Sequence, residues 1–349
     1  MAKLSYQKPG LTLQSGAPAA RAAQVADLQE HLRQLGYLRS GIDGKFGPGT
    51  DSAVRALRHD LLHNDGSSRG GDGRAPVSVL DFNRGRVGLV NGVLDQPLAA
   101  CVADLLAADA FPKVPASASP REDNRRVREQ ISRLTGLPVP PPFLLAIFRQ
   151  ESALQHYREP AGADRDCYVV VGLDTNASQK HVITSRGYGI GQYTLFHHPP
   201  RAEEVAGVIQ DPGRNVQRAA GELKAKFDGF VMGASSGTRA DDRVAEQGTG
   251  PLRVCKYAPQ DARYLRDCAA CARDAGAHDI SPGDRVYAGS GLAFEPTQYY
   301  RSARYRGVPV RRKFPCDWPY ALRRYNGAGI NSYHYQARVL ANLLAPEPA

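Results

Sequence analysis

The stretch QVADLQEHLRQLGYLRSGIDGKFGPGTDSAVRALRHD, residues 24–60, decides the fold of the N-terminal part of this chain. Val25, Leu28, Leu32 and Leu35 recur at the spacing of one helical face, and Gly36 stops the stripe. A Gly-rich turn follows and leads to Thr50, a candidate N-cap for a second helix over 51–59. Such a helix, tight loop, helix unit buries little apolar surface alone. LVNGVLDQPLAACVADLLA, residues 89–107, repeats the turn-then-helix pattern and is read as the third helix that closes the core.

Towards the C-terminus the pattern changes. PKVPASASPRED, residues 112–123, replaces periodic hydrophobics with Pro, Ala and Ser and reads as a linker. Beyond it, Val127, Ile131 and Leu134 mark an amphipathic helix ended by Gly136, and a triple proline starts the next one. In that helix, within PPPFLLAIFRQESALQHY at 140–157, Glu151 falls on the apolar stripe of Leu144, Ile147, Phe148 and Leu154. Desolvation on such a stripe is expected to raise its pKa towards the range of a general acid that works near neutral pH. The plain alternative is a Glu at the edge of an amphipathic helix.

Two further motifs follow in order. SRGYGIGQY, residues 185–193, alternates Gly187, Gly189 and Gly191 with Tyr188 and Ile190, which permits close backbone approach to a sugar, and Gln192 adds an amide. Position 192 is not Gly, so a dinucleotide fingerprint starting at Gly187 fails. RRYNGAGINSYHYQARVLANLL, residues 323–344, joins an aromatic-polar turn to a terminal amphipathic helix with Tyr335, Val339 and Leu340 inward. Tyr325 offers a hydroxyl to hold Glu151 or shape a sugar site, and Asn326 offers an amide to an acetamido group.

Composition narrows the class. With 349 residues and 42% hydrophobic content, the chain has room for two modest globular domains. No apolar run approaches the ~20 residues that cross a bilayer, so no membrane insertion is expected. MAKLSYQKPGLTLQSG has no apolar core after Lys3, so no secretory signal is read there. The net charge of +10 favours an anionic partner, which charge alone leaves open among nucleic acid, an acidic lipid face and the phosphate- and carboxylate-rich bacterial envelope. The basic residues, among them Arg125, Arg126, Arg311, Arg312, Lys313, Arg323 and Arg324, form no nucleic-acid motif, so no nucleic-acid partner is expected. Of the six cysteines, Cys101, Cys167, Cys255, Cys268, Cys271 and Cys316, only Cys268 and Cys271 make a CxxC, and the second half of a zinc pair is missing. Disulfides in an oxidising place of action are therefore favoured over zinc, with reduced core thiols as the third reading and the connectivity open. Neither a metal nor a cofactor is expected.

Residues 24–60 resemble the three-helix peptidoglycan-binding domain. The match runs through Leu28, Gln29, Leu32, Leu35, Gly36 and Tyr37, then Asp43, Gly44, Phe46, Gly47, Pro48 and Thr50. The resemblance implies Tyr37, Asp43, Gly44, Phe46 and Gly47 as its binding-domain residues and peptidoglycan as the partner. Leu57-Arg58 stands where that family has Phe-Gln, and a polar insertion, NDGSSRGGDGR at 64–74, separates the second and third helices.

The order of motifs after residue 124 resembles the soluble lytic transglycosylase domain of the goose-type-lysozyme-like superfamily. The matching residues are Glu151 and Ser152; Gly189, Ile190, Gly191 and Gln192; Asn215; and Tyr325, Asn326, Gly327 and Gly329. The fold so implied is mainly α: a three-helix binding domain at 1–111, a linker at 112–123, and a lysozyme-like domain at 124–349. Two insertions, about 156–186 and a Cys-containing one about 229–318, depart from that family. The resemblance makes Glu151 the single general acid and base, with Ser152, Gly189, Ile190, Gly191, Gln192, Tyr325 and Asn326 around the sugar.

The implied reaction cleaves the bond between N-acetylmuramic acid and N-acetylglucosamine with a 1,6-anhydro product, one of the substrate-assisted exceptions to two-carboxylate catalysis. A hydrolysing muramidase is the alternative, with Asp164, Asp166 or Asp174 as second carboxylate, and a non-catalytic wall-binding protein is another. A wall-cutting enzyme without a signal must leave the cytoplasm by another route. That expectation fits an injected antibacterial effector, whose producer needs an immunity protein, or a phage lysin.

Overall fold

The structure, a computed structural model, describes residues 4–39, 41–68, 70–133, 139–231, 314–327 and 330–344. Cys255, Cys268, Cys271, Gly329 and most of the stretch read as an insertion at 229–318 lie outside the described residues. Contacts divide the chain into two compact units: Met1–Arg126 with Gln155–Asn215, and Val127–Leu154 with Val216–Ala349. The fold is mainly helical, as the periodicity predicts. Among the described residues, no helix is long and apolar enough to cross a membrane.

In the first unit, α1 (Ala22–Gln34), α2 (Pro48–His63) and α3 (Gln96–Ala107) surround one core. Leu28, Leu32, Leu35, Leu57, Leu98 and Leu105 are fully buried in it. The turn between α1 and α2 is stapled from within by Gln29. The buried Gln29 amide donates to the Asp43 carboxylate at 2.9 Å, the Lys45 carbonyl at 3.0 Å and the Thr50 hydroxyl at 3.0 Å, and accepts from the Gly44 N–H at 2.8 Å. Thr50, read as an N-cap, instead lies inside α2, with Gly47 at the cap and Pro48 at the first helical position. Arg58, the departure noted above, is buried and ties α2 to the approach of α3 through the Val93 carbonyl at 2.8 Å and Asp95 at 2.6 Å. Asp95 in turn caps α3 by accepting from the Leu98 N–H.

Residues 155–215 complete the same unit. A three-stranded antiparallel sheet, β1 (Val171–Thr175), β2 (Ile183–Tyr188) and β3 (Tyr193–Leu195), is ordered as in sequence. Its apolar face and the preceding segment form a second core of Tyr157, Tyr168, Val169, Val171, Tyr188 and Leu195 with Ala26, Ile42 and Val114. The fully buried Arg33 of α1 joins the two parts: Nε donates to Asp166 at 3.0 Å, and the two Nη atoms donate to the carbonyls of Leu38 and Val169 at 3.0 Å each. Residues 112–123, read as a linker, carry ordered contacts. Val114 N–H donates to the Gln34 carbonyl, Ser117 N–H to Cys167, and Val169 N–H returns to Pro115. A segment that spends its backbone hydrogen bonds this way is a strap on the unit, whatever its composition suggests.

In the second unit, α4 (Pro120–Arg133, whose first half belongs to the other unit) contributes Val127 and Ile131 to the interior. The core itself is built by α5 (Pro141–Ser152), α8 (Trp318–Tyr325) and α9 (Ile330–Asn342), numbering the described α-helices with α6 (Ala202–Glu204) and α7 (Pro212–Lys226) between. Phe143, Leu144, Ile147 and Phe148 of α5 are buried with Tyr335, Val339 and Leu340 of α9 among the core residues. Asn342 donates to the Ala146 carbonyl at 3.2 Å and Arg149 to the Asn342 carbonyl at 2.9 Å, so the two helices also share polar contacts. After α7 the chain widens into a π-helical turn, Phe227–Val231, whose Phe227 ring lies 4.3 Å from that of Trp318.

Cys101 and Cys167 carry free thiols, so the reduced-thiol reading holds for these two. Burial raises the pKa of both, which keeps them in the unreactive thiol form.

Candidate functional site

Glu151 is the penultimate residue of α5 and is half-buried. The helix ends there because Ala153 and Leu154 turn left-handed, with φ of 54° and 61°. Leu154 therefore reaches the core from beyond the helix, not from its stripe, while its N–H caps the Phe148 carbonyl. Ser152 is buried and its hydroxyl donates to the same carbonyl at 3.0 Å.

Around Glu151 the second unit gathers phenols. Tyr335 of α9 is buried, with its ring stacked on that of Tyr325 at 6.4 Å and 15° between planes. Burial, and next the Glu151 carboxylate, hold the Tyr335 hydroxyl well above the ordinary phenol range. That hydroxyl faces Glu151 but is short of good hydrogen-bond alignment in the resting geometry. Tyr325 is raised by burial and then by two carboxylates, Glu222 and Glu151. Both tyrosines thus remain protonated and offer O–H groups to an anion or a sugar oxygen. Asn326 and Gly327 follow in an exposed turn, with Gly327 at φ 89°.

Glu222 is the residue that sequence reading passed over. It lies on α7, one turn before the π-helical segment that packs on α8, where the Arg324 guanidinium sits 4.8 Å over the Phe230 ring. Its only outward sign was an acid on a charged amphipathic helix, which reads as solvated surface. In the structure its side chain is 44% exposed, with Lys226 Nζ at 3.9 Å.

The Gly-rich motif belongs to the first unit, where it forms the turn from β2 to β3. Gly189 has φ 76°, and a Cβ there would fall 2.5 Å from the His156 ring and 2.9 Å from the Asn215 amide. Ile190 is fully buried and donates its N–H to His156 Nδ1 at 3.3 Å, and Gly191 donates to Asn215 Oδ1 at 2.8 Å. Asn215 completes the clamp by donating to the Tyr188 carbonyl at 2.9 Å. Gln192, at φ 52°, folds its amide back onto the Gly189 carbonyl at 2.7 Å. In this geometry the motif is a locked turn, with its amide engaged inside its own hairpin.

His156 makes a pH prediction. Its Nδ1 accepts from Ile190 and its Nε2 donates to the Ile209 carbonyl at 2.9 Å, which selects the neutral tautomer. Burial pushes its pKa down to about 4. The folded value lies below the unfolded value of ~6.5, so the contribution is complete above that pH and is lost as pH falls towards 4. The loss amounts to roughly 3 kcal/mol from this residue. Urea unfolding at pH 7.5 and 4.5 should show it, and His156→Gln should be less stable at the higher pH yet flatter between the two. Equal slopes would place the acid sensitivity elsewhere.

The residues implied for the binding domain are building parts of the first unit. Tyr37 is buried and donates to Asp60 at 2.9 Å; Asp43 accepts from Gln29 and from the Lys45 N–H; Phe46 lies in the core. Gly44 has φ 73°, and a Cβ there would come 2.9 Å from the Ala22 carbonyl. Asp164, Asp166 and Asp174 also have fixed work in this unit. Asp164 accepts from the N–H groups of Ile42 and Asp166, Asp166 pairs with Arg33, and Asp174 accepts from the Ser185 hydroxyl.

Among the curated proteins and the solved structures, none matches this chain. Residues 21–60 match the family model described as a putative peptidoglycan-binding domain, a match that covers α1, the Gln29-stapled turn and most of α2.

Proposed function

We propose that the chain is a peptidoglycan-degrading lytic transglycosylase in which Glu151 is the general acid and base. The observation that supports this best is the half-buried Glu151 at the end of α5, beside the stacked phenols of Tyr335 and Tyr325. Glu151 gives its proton to the oxygen between N-acetylmuramic acid and N-acetylglucosamine, and the bond from C1 to that oxygen breaks. The substrate's acetamido oxygen supports the cationic C1. The Glu151 carboxylate then takes the proton of the muramyl C6 hydroxyl as O6 bonds to C1, and no water enters. Tyr335 and Tyr325, held protonated, steady the carboxylate during its anionic phase.

A wall substrate places the action outside the cytoplasm, in the periplasm or cell wall of a target, with delivery as an antibacterial effector or release as a phage-type lysin. A producer of the effector would carry an immunity protein that blocks the Glu151 site.

Dye-labelled sacculi test the enzymatic reading. The purified full chain should release soluble dye, and a folded chain that releases none would leave only wall binding. Hydrolysis is the second reading, and Glu222 favours it, because a second carboxylate shares the tyrosine pair with Glu151. In that case Glu222→Gln removes products with reducing muramic acid ends and spares anhydro ends.

A further inference from the structure

A small open cleft, with a cavity volume of about 110 Å³, lies in the first unit between the last turn of α2 and the β2–β3 hairpin. Only its α2 wall belongs to the matched family segment; the hairpin wall is supplied by residues from 183 onwards. At its floor Arg186 and Asp60 pair at 3.2 Å, and both are buried. Asp60 is held well below the usual carboxylate range by its partners, among them His59, Arg186 and Tyr37, so the floor pair carries no net charge. His198 also lines the cleft and is 3% exposed. Burial and Arg186 keep it neutral, and although the Leu35 carbonyl is near, neither ring nitrogen makes a hydrogen bond of normal geometry. A buried imidazole without partners is costly, and a ligand or a water that reaches it recovers that cost.

The rim adds an apolar platform. Phe196 is 43% exposed although it stands in a well-held segment. Its N–H donates to Asp72 at 2.8 Å, and its ring covers Gly70, where any Cβ would collide with it. The neighbouring His197 sits between Asp72 at 3.2 Å and Glu204 at 2.9 Å, and Arg201 donates to the carbonyls of Asp72 and Arg74. The polar insertion of 64–74 is thereby pinned to the hairpin as a wall of the cleft. His59 and His63, with rings 4.7 Å apart on successive turns of α2, face it from the other side. Among the described residues, no group of three or more His, Cys, Asp or Glu converges as metal ligands do.

A charge-paired floor, imidazole, amide and hydroxyl groups, the Asp65 carboxylate and one exposed aromatic face suit a ligand rich in hydroxyls and amides, with C–H faces. We propose that this cleft binds the glycan strand of peptidoglycan, an N-acetylated amino-sugar saccharide, as a site additional to the one around Glu151. The proposal rests on the match of residues 21–60 to the peptidoglycan-binding family, and it assigns the saccharide, not the stem peptide, as what this cleft holds. Thr184 on β2, half-buried in the lining, supplies a hydroxyl to the same ligand.

The test titrates the full-length chain with amino-sugar oligosaccharides stripped of peptide and, separately, with free stem tetrapeptide. The imidazole NMR signals of His59 and His63 report the cleft locally. Saccharide should shift both signals, and Phe196→Ala and Thr184→Val should each weaken that response, by about tenfold for the aromatic platform. Thermal melts of the two variants check the fold, and the exposed His63→Ala serves as a third variant if either is unstable. Shifts caused by the tetrapeptide alone would overturn the saccharide assignment. Sacculus binding by the wild type with histidine signals unmoved by saccharide would overturn the cleft while leaving wall association intact. A wild type that binds no sacculi would overturn both.

Discussion

Glu151→Gln is expected to stop release of glycan fragments from sacculi, with a loss of at least about 10² and up to about 10⁴ in rate, the range that general acid–base catalysis supplies. The amide is nearly isosteric, and Glu151 is only half-buried at a helix end, so the variant should melt within a degree or two of the wild type. Sacculus binding should also persist, since the segment that matches the peptidoglycan-binding family lies in the other unit. Tyr335→Phe is the graded companion. It removes the hydroxyl that faces Glu151 and keeps the ring stacked on Tyr325, so activity should fall only in part and the pH profile should move. Unchanged cleavage by Glu151→Gln would send the chemistry to another residue.

The largest stability effect is expected at Arg33. Arg33→Ala leaves the Asp166 carboxylate buried without its ion-pair partner and strips the Leu38 and Val169 carbonyls of their donors. Breaking a buried pair from one side costs roughly 3–5 kcal/mol. Arg158, 3.8 Å from the other Asp166 oxygen, offsets little of this because it is poorly placed for a bond. Arg33→Lys should rescue poorly, because one ammonium cannot replace a fork that meets three acceptors. Denaturant unfolding measures the effect, and a change below about 1 kcal/mol would mean that Arg33 contributes little to holding the two parts of this unit together. The same geometry governs truncation. Removing residues 1–111 takes Arg33 away from Asp166 and Ala26 and Ile42 out of the second core, so the N-terminal helices are no detachable tag.

The three helices were legible because each depends on near neighbours. Leu28 to Leu35 declare a helical face, whereas the Gln29 staple was not read, because its partners Asp43 and Thr50 lie 14 and 21 residues away, and Thr50 was assigned a cap it does not make. Arg33 was illegible because its partner lies 133 residues away and an arginine on a helix of mixed charge reads as solvated. The strap at 112–123 misled by composition: Pro and Ala fix no side-chain contacts, yet their neighbours' N–H and C=O groups still found partners on α1 and at 167–169. Around Glu151 the apolar stripe of Leu144, Ile147 and Phe148 read correctly, but the left-handed Ala153 could not be foreseen, since only its tertiary setting makes that conformation tolerable. Tyr335 was read as an inward core residue, and it is one; its second role depends on Glu151 ending α5 beside it.

The central claim, one acid doing both proton transfers, is tested most directly by mass spectrometry of the products formed from purified sacculi. Wild-type protein should yield 1,6-anhydro-muramyl ends, and Glu151→Gln none. Reducing muramic acid ends from the wild type would contradict the single-acid reaction and make Glu222 the first residue to replace.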